Sequence, residues 1–312
     1  MVIVSPSPTS GVPLNQTVWL ASYPKSGNTW VRLLIGGLAL AEGEPFELNT
    51  ALQRDGNANM RAILDHLSLI ETDLLTHDEV DELRPDVYAD MARNPAALDD
   101  LRGDADPRFP IRFVKTHDAY AINRSGRPLL GGAEAASAAV VVVRDPRDIA
   151  PSLASHLGES IDAAIRRMGD DRDVINLNPD WRRRRVPQRL LDWSGNVASW
   201  LDQRDLPVHL VRYEDLKRDA VAALHSTLAA VGLPVTRQDV ARSASLCAFD
   251  RLQAQEREGG FDEAPSSGAL FFRRGEAGGW RHELTADQVR RIEAAHGPMM
   301  QRLGYELAER RS

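Results

Sequence analysis

The chain has 312 residues, and 38 Lys and Arg stand against 45 Asp and Glu, a formal net charge of -7. That balance excludes a generally basic nucleic-acid coat, which needs a cationic surface to neutralise phosphates. At 43% hydrophobic and 27% charged the chain has the composition of a globular protein with a sizeable core, and its single cysteine, Cys247, excludes an internal disulfide and points to a reducing, cytoplasmic setting.

In chain order, Met1 to Ser10 lack the basic start and apolar run of a signal peptide, and residues 1–16 read as a flexible lead-in. Val18 to Ser22 suits a buried strand and runs directly into Tyr23-Pro24-Lys25-Ser26-Gly27-Asn28-Thr29-Trp30, after which a helical pattern begins. Arg32 interrupts the best apolar stretch, Trp30 to Ala41, so no membrane span is expected. Further strands are expected at Ile111 to Thr116, Ala138 to Val143 and Val208 to Val211. The four consecutive valines Val140 to Val143 read as a central parallel strand covered on both faces. Helical patterns cover Ala62 to Leu83, Leu190 to Gln203, Lys217 to Val231 and Asp287 to Leu303. Strands alternating with helices predict one α/β domain over residues 1–312, with a central, mostly parallel sheet flanked by helices. Residues 41–110, with 17 acidic and 6 basic side chains, read as a helical insertion over the strand ends. The run Arg182 to Arg185 reads as a solvated face.

Four segments carry chemistry. Tyr23 to Trp30 lacks the G-x-x-x-x-G-K-[ST] spacing but has the parts of a phosphate cradle. Pro24 and Gly27 fit a tight turn, the following helix start offers N–H groups and a positive dipole end, and Lys25 supplies a charge. Ser26, Asn28 and Thr29 add donors; Trp30 is either core or a ring on which a base stacks. The second segment, Val140 to Asp148 and on to Ser152, puts Arg144 at the carboxyl end of a strand, where open α/β sheets bind ligands. Arg144 is either an anion ligand or paired with Asp145 or Asp148. In the third, Phe271 to Trp280, Arg273, Arg274 and Gly275 form either a mobile phosphate-closing loop or an ordinary surface loop. The fourth ends in Lys115-Thr116-His117, where a histidine beside a lysine at a sheet edge is either a general base or structural. The other seven histidines show no metal-ligand spacing.

Together and in this order, the segments resemble the cytosolic sulfotransferases, which use 3'-phosphoadenosine 5'-phosphosulfate (PAPS) as sulfuryl donor and release the bisphosphate PAP. Tyr23 to Trp30 is similar to that family's 5'-phosphosulfate loop, with Asn28 where Thr is common. Arg144 and Ser152 match its 3'-phosphate ligands, Arg273, Arg274 and Gly275 its third cofactor loop, and Lys115-Thr116-His117 its triplet with the catalytic base. Tyr213 resembles the tyrosine that contacts the adenine, Phe249 the aromatic that stacks with Trp30, and Cys247 stands where Thr is frequent. The resemblance implies a single α/β domain akin to the P-loop nucleotide kinases. It further implies in-line sulfuryl transfer to a hydroxyl or amine of a small-molecule acceptor, without a metal ion.

In that scheme His117 is the base, Lys25 neutralises the leaving oxygen and Lys115 touches the sulfuryl group. Ser26, Gly27, Asn28 and Thr29 hold the 5'-phosphate. The acceptor side is expected in residues 41–110 and 158–200. Two rivals are a P-loop-like ATP-dependent kinase, against which the missing Walker spacing stands, and a non-catalytic nucleotide-binding module, which needs no His117. The family's dimer motif, K-x-x-x-T-V-x-x-x-E, is met here by Arg281, Thr285, Ala286 and Arg290, two of which differ in character, so no dimer is carried over.

Overall fold

A parallel strand covered on both faces needs apolar side chains at successive positions, and the two innermost runs meet that need. In β1 (Gln16–Ala21), Val18 and Leu20 belong to one apolar cluster while Trp19 and Ala21 belong to another. In β4 (Ala138–Val143), Val140 and Val142 share a cluster with the first pair, and Val141 and Val143 with the second. The computed structural model describes residues 16–53, 56–94, 111–176, 184–265 and 268–308. All but one residue of the predicted lead-in, and Arg182 and Arg183 of the arginine run, lie outside them.

With β2 (Gly56–Asn57), β3 (Ile111–Thr116) and β7 (Val208–Arg212), these strands form one five-stranded parallel sheet in the order β2-β3-β1-β4-β7. A second sheet is a two-residue antiparallel pair, β5 (Val174–Ile175) with β6 (Gln188–Arg189). Helices flank the main sheet in the α/β arrangement of P-loop proteins. Helix α1 (Asn28–Leu38) packs on the face of Val18 and Leu20, and α2 (Pro146–Leu157) on the face of Trp19 and Ala21. No described helix is long and apolar enough to cross a membrane.

Two predicted helices are divided. The pattern from Ala62 to Leu83 stops after Ser68, where Leu69 takes φ +57, and a new helix, His77–Arg93, starts at Thr76. There the Thr76 side chain accepts from the Glu79 amide while the Glu79 carboxylate accepts from the Thr76 amide, a reciprocal cap that favours a fresh start over continuation. The pattern from Lys217 to Val231 breaks at Asp219, whose carboxylate caps Ala222 N–H at 2.9 Å. Helices at Arg237–Leu246 and Phe249–Gly259 were not anticipated.

Candidate active site

Because the strands are parallel, their carboxyl ends share one edge, and β1 lies where the chain's order reverses between β3 and β4. β1 leads into Ser22 and the Tyr23–Gly27 loop, β3 into His117, β4 into Arg144 and β7 into Tyr213. Tyr23, Pro24, Lys25, Gly27, His117, Arg144 and Tyr213, with Phe249 and the 271–275 loop, line a cavity of about 910 Å³. Of the site residues expected from sequence, all line it except Ser26 and Cys247. The Cys247 thiol is buried against the Leu33 carbonyl at 3.2 Å, and burial pushes its pKa up to about 12. The residue instead supports the site through its own carbonyl, which accepts from Trp30 Nε1 at 3.1 Å.

The loop after β1 is shaped by two left-handed residues, Lys25 at φ +67 and Gly27 at φ +103. Gly27 is required twice over. Its φ disfavours any side chain, and a Cβ there would lie 2.6 Å from Tyr213 Cδ2. Helix α1 then starts at Asn28 with no acidic residue in its first turn, so its free N–H groups and dipole favour an anion. Asn28 Nδ2 donates to Leu20 O at 2.9 Å and Ser22 Oγ at 3.2 Å, tying the helix start to the strand end. Behind the loop, the buried Ser26 Oγ has no hydrogen-bond partner among the described residues, and neither has Arg144 Nε. These idle donors fit a phosphate-bearing ligand.

His117 Nδ1 lies 2.8 Å from Ser22 O. A carbonyl only accepts, so Nδ1 carries the proton and Nε2 the lone pair. Burial, aided by Lys115, lowers the imidazole pKa to about 3, so the ring is neutral at pH 7 and able to take a proton. Asn196 Nδ2 donates to His117 O at 3.1 Å and to Leu190 O at 2.9 Å, fixing the backbone at the base.

The next residue anchors this turn. Asp118 is fully buried and accepts from Arg84 Nη2 at 2.5 Å, Gln188 Nε2 at 3.1 Å and the Arg189 amide at 2.9 Å. Arg84 is itself fully buried. Asp118→Ala therefore leaves this interior guanidinium with one longer carboxylate contact, to Asp81 Oδ1 at 3.3 Å, and we expect a loss of about 3 kcal/mol in urea unfolding. A loss below about 1 kcal/mol would show that the pair contributes little.

Lys115 Nζ meets Glu263 Oε1 at 3.1 Å, and the same carboxylate accepts from Arg32 Nη1 at 2.6 Å and Thr29 Oγ1 at 2.7 Å. Burial raises the Glu263 carboxyl pKa, but Lys115 and Arg32 outweigh it and hold the group ionised. Lys25 has no such partner among the described residues; its Nζ sits 3.9 Å from the Phe271 ring centroid. Burial, then Lys115 and Arg144, push its pKa down to about 7.

Arg144 does not pair with Asp145 or Asp148. Asp145 takes the Arg147 guanidinium, and Asp148 accepts from the Gly278 and Trp280 amides. Arg144 donates instead to Lys25 O at 3.3 Å and Glu276 O at 2.8 Å and lies over the Tyr213 ring at 4.4 Å. Trp30 meets Tyr213 edge-on with centroids 5.8 Å apart. Arg273 and Arg274 both pair with Glu283. Gly275, at φ +62, lets the loop approach Phe249, whose ring a Cβ would strike at 2.2 Å.

Several cavity residues were not foreseen. Lys217 lies 5.5 Å from the Trp30 centroid and 5.9 Å from that of Phe249; its one sequence signal was its place four residues after Tyr213 on a helix. His156 is a second neutral imidazole, its pKa lowered to about 4 by burial and by Lys25 and Lys115. Glu263 carried no local signal. Arg185, read as part of a solvated run, lines the cavity because its backbone bridges Met60 and its side chain meets Asn59. Among the described residues no three His, Cys, Asp or Glu side chains gather as metal ligands do.

Residues 15–304 match the family model for the sulfotransferase domain. The chain is 23% identical over 296 residues to a flavonol 3-sulfotransferase of Flaveria bidentis, covering 88% of this chain and 79% of that protein. It is 28% identical over 121 residues to sulfotransferase 6B1 of Danio rerio, 38% of each chain. Among solved structures it is similar in fold to a mouse sulfotransferase, SULT7A1, complexed with PAP. There the TM-score is 0.55 and the identity 18%, over 92% of this chain and 85% of the other. Retinol dehydratase in a complex with retinol and PAP is similar at a TM-score of 0.55 and 19% identity, over 95% and 83%.

Proposed function

The chain belongs to the sulfotransferase domain family, and from that premise we propose that it transfers a sulfuryl group from PAPS to a hydroxyl or amine of a small acceptor, with His117 as the base. One observation carries the reading: a neutral imidazole with its lone pair on Nε2 shares a cavity with a half-buried lysine in the loop before a helix start. The donor, when bound, supplies an activated sulfur joined through oxygen to a phosphate. Gly27, Asn28 and Thr29 offer the helix-start donors to its 5'-phosphate, with Ser26 Oγ behind them. Lys25 stabilises the departing oxygen, where charge grows in the transition state, and Lys115 meets the sulfuryl oxygens. Arg144, Ser152 and Arg273 to Gly275 hold the 3'-phosphate, which requires the two loop arginines to exchange Glu283 for the ligand. Tyr213, Trp30 and Phe249 flank the adenine. The role we give Cys247 is indirect: its carbonyl orients the Trp30 ring. We also read the chain as cytoplasmic and as one domain, the latter supported by the five-stranded sheet that both apolar clusters share.

Binding tests the donor half of this reading. Lys25 is charged below its lowered pKa of about 7 and neutral above it. PAP affinity that depends on this charge is full in acid and weakens as pH rises through 7. Relative to Lys25→Arg, which stays charged, wild-type Kd for PAP should rise on the order of tenfold between pH 6.5 and 8.5 in calorimetry. Parallel pH profiles for the two proteins would remove Lys25 from the phosphate. Tighter binding of ATP with Mg²⁺ than of PAP would instead favour the kinase reading.

A further inference from the structure

Among the described residues five arginines line the cavity, and they differ in what they hold. Arg167 pairs with Asp173, and Arg273 and Arg274 pair with Glu283. Arg144 and Arg185 have no ion pair with a carboxylate among the described residues; their contacts are with carbonyls, a ring and an amide. Arg144 is accounted for by the donor's 3'-phosphate. Arg185 is not accounted for.

Its position is firmly set. The Arg185 backbone bridges Met60, its carbonyl accepts from Arg61 Nη2, and the neighbouring Val186 amide donates to Asn59 O at 2.8 Å. The side chain donates Nη1 to Asn59 Oδ1 at 3.1 Å, while Nε and Nη2 have no partner among the described residues. Asn59 Nδ2 in turn donates to Gln188 Oε1 at 3.0 Å, and Gln188 Nε2 donates to Asp118 at 3.1 Å. A hydrogen-bonded chain thus links this guanidinium to the residue beside His117.

A half-buried guanidinium with one neutral partner has lost hydration without gaining a counter-charge. Burial lowers the Arg185 pKa, and the charge of Glu263 offsets this only in part. A carboxylate supplies what is missing, since its two oxygens match the two idle N–H directions. Asn57, Asn176 and Gln188 line the same cavity, beside the apolar Val174, Ile175 and Leu190. Trp193 and Trp200, the aromatics that would suit a flat apolar acceptor, are instead fully buried in the core.

Resting on the sulfuryl-transfer reading above, we propose that the acceptor is a hydroxylated carboxylic acid, its carboxylate held by Arg185 and its hydroxyl presented to His117. The hydroxyl oxygen bonds to sulfur as the bond from sulfur to the bridging phosphate oxygen breaks. The hydroxyl proton passes to His117 Nε2, and the leaving bisphosphate keeps the electron pair.

The test compares 4-hydroxyphenylacetate with 4-hydroxyphenylacetamide, two probes of one length that differ by a charge. Binding to the PAP-loaded protein is measured by calorimetry, and kcat/KM with PAPS. Wild type should favour the acid by about tenfold to hundredfold, the value of a charge-assisted pair. Arg185→Gln should bring the ratio to about one, and Arg185→Lys, which keeps the charge but not the fork, should fall between. A wild-type ratio within about twofold of one, or an acid preference that persists undiminished in Arg185→Gln, overturns the proposal. If neither probe is sulfated but the acid binds wild type preferentially and this is lost in Arg185→Gln, the transfer reading fails and the carboxylate seat stands. If both probes are sulfated equally, the reverse holds.

Discussion

Replacing His117 with alanine should lower kcat by about 10²- to 10⁴-fold, the range for a positioned general base, while PAP binds within about threefold of wild type. The base assignment rests on orientation as much as on protonation. Two imidazoles in the cavity are neutral at pH 7, but His117 is aimed by the Ser22 carbonyl. His156 has an unpartnered Nδ1 among the described residues and packs edge-on against Phe271 with centroids 6.2 Å apart. A base needs a fixed tautomer, which the hydrogen bond to Ser22 gives to His117. The loss at His117 should therefore exceed that of His156→Ala by about two orders of magnitude in steady-state assays. Near-normal turnover in His117→Ala, or an equal loss at both positions, would remove His117 from the role.

Lys25→Ala carries the second large effect. Its ammonium sits in a desolvated corner beside Phe271, where charge acts at low dielectric. An interaction that strengthens as charge appears on the leaving oxygen changes kcat more than ground-state binding. We expect single-turnover rates at saturating PAPS to fall by about 10²- to 10³-fold, with the urea midpoint unchanged. The substitution removes no ion pair among the described residues, where Lys25 contacts the Phe271 ring. A variant that loses PAPS affinity but keeps its single-turnover rate would show Lys25 to bind the donor without assisting departure.

The parts of this site legible in the sequence are those whose chemistry is local. Tyr23 to Trp30 announces itself because the strand, turn and helix start are contiguous, and the strand ends at His117 and Arg144 follow from apolar runs whose bounds, Ile111–Thr116 and Ala138–Val143, the structure reproduces. β2 has two residues, too few to display any period. The helix expected over Ala62 to Leu83 was divided because its apolar spacing continued across the Thr76 and Glu79 cap, a local signal that competes with periodicity. Glu263, Lys217 and Arg185 owe their places to tertiary contacts. Nothing in the sequence around Glu263 states that three donors, Thr29, Arg32 and Lys115, will meet on its carboxylate.

The net charge of -7 describes the whole chain and conceals the cavity. There Lys25, Lys115, Arg144 and Lys217 come together from distant segments, as the proposed donor with its several negative charges requires.

The central claim is the identity of the transferred group, and release of PAP is its most direct test. Purified protein incubated with PAPS and a hydroxylated acceptor in EDTA should release one PAP for each acceptor that gains a sulfate by mass spectrometry, with His117→Ala near background. An acceptor that gains phosphate from ATP and Mg²⁺, with PAPS left intact, would contradict the account.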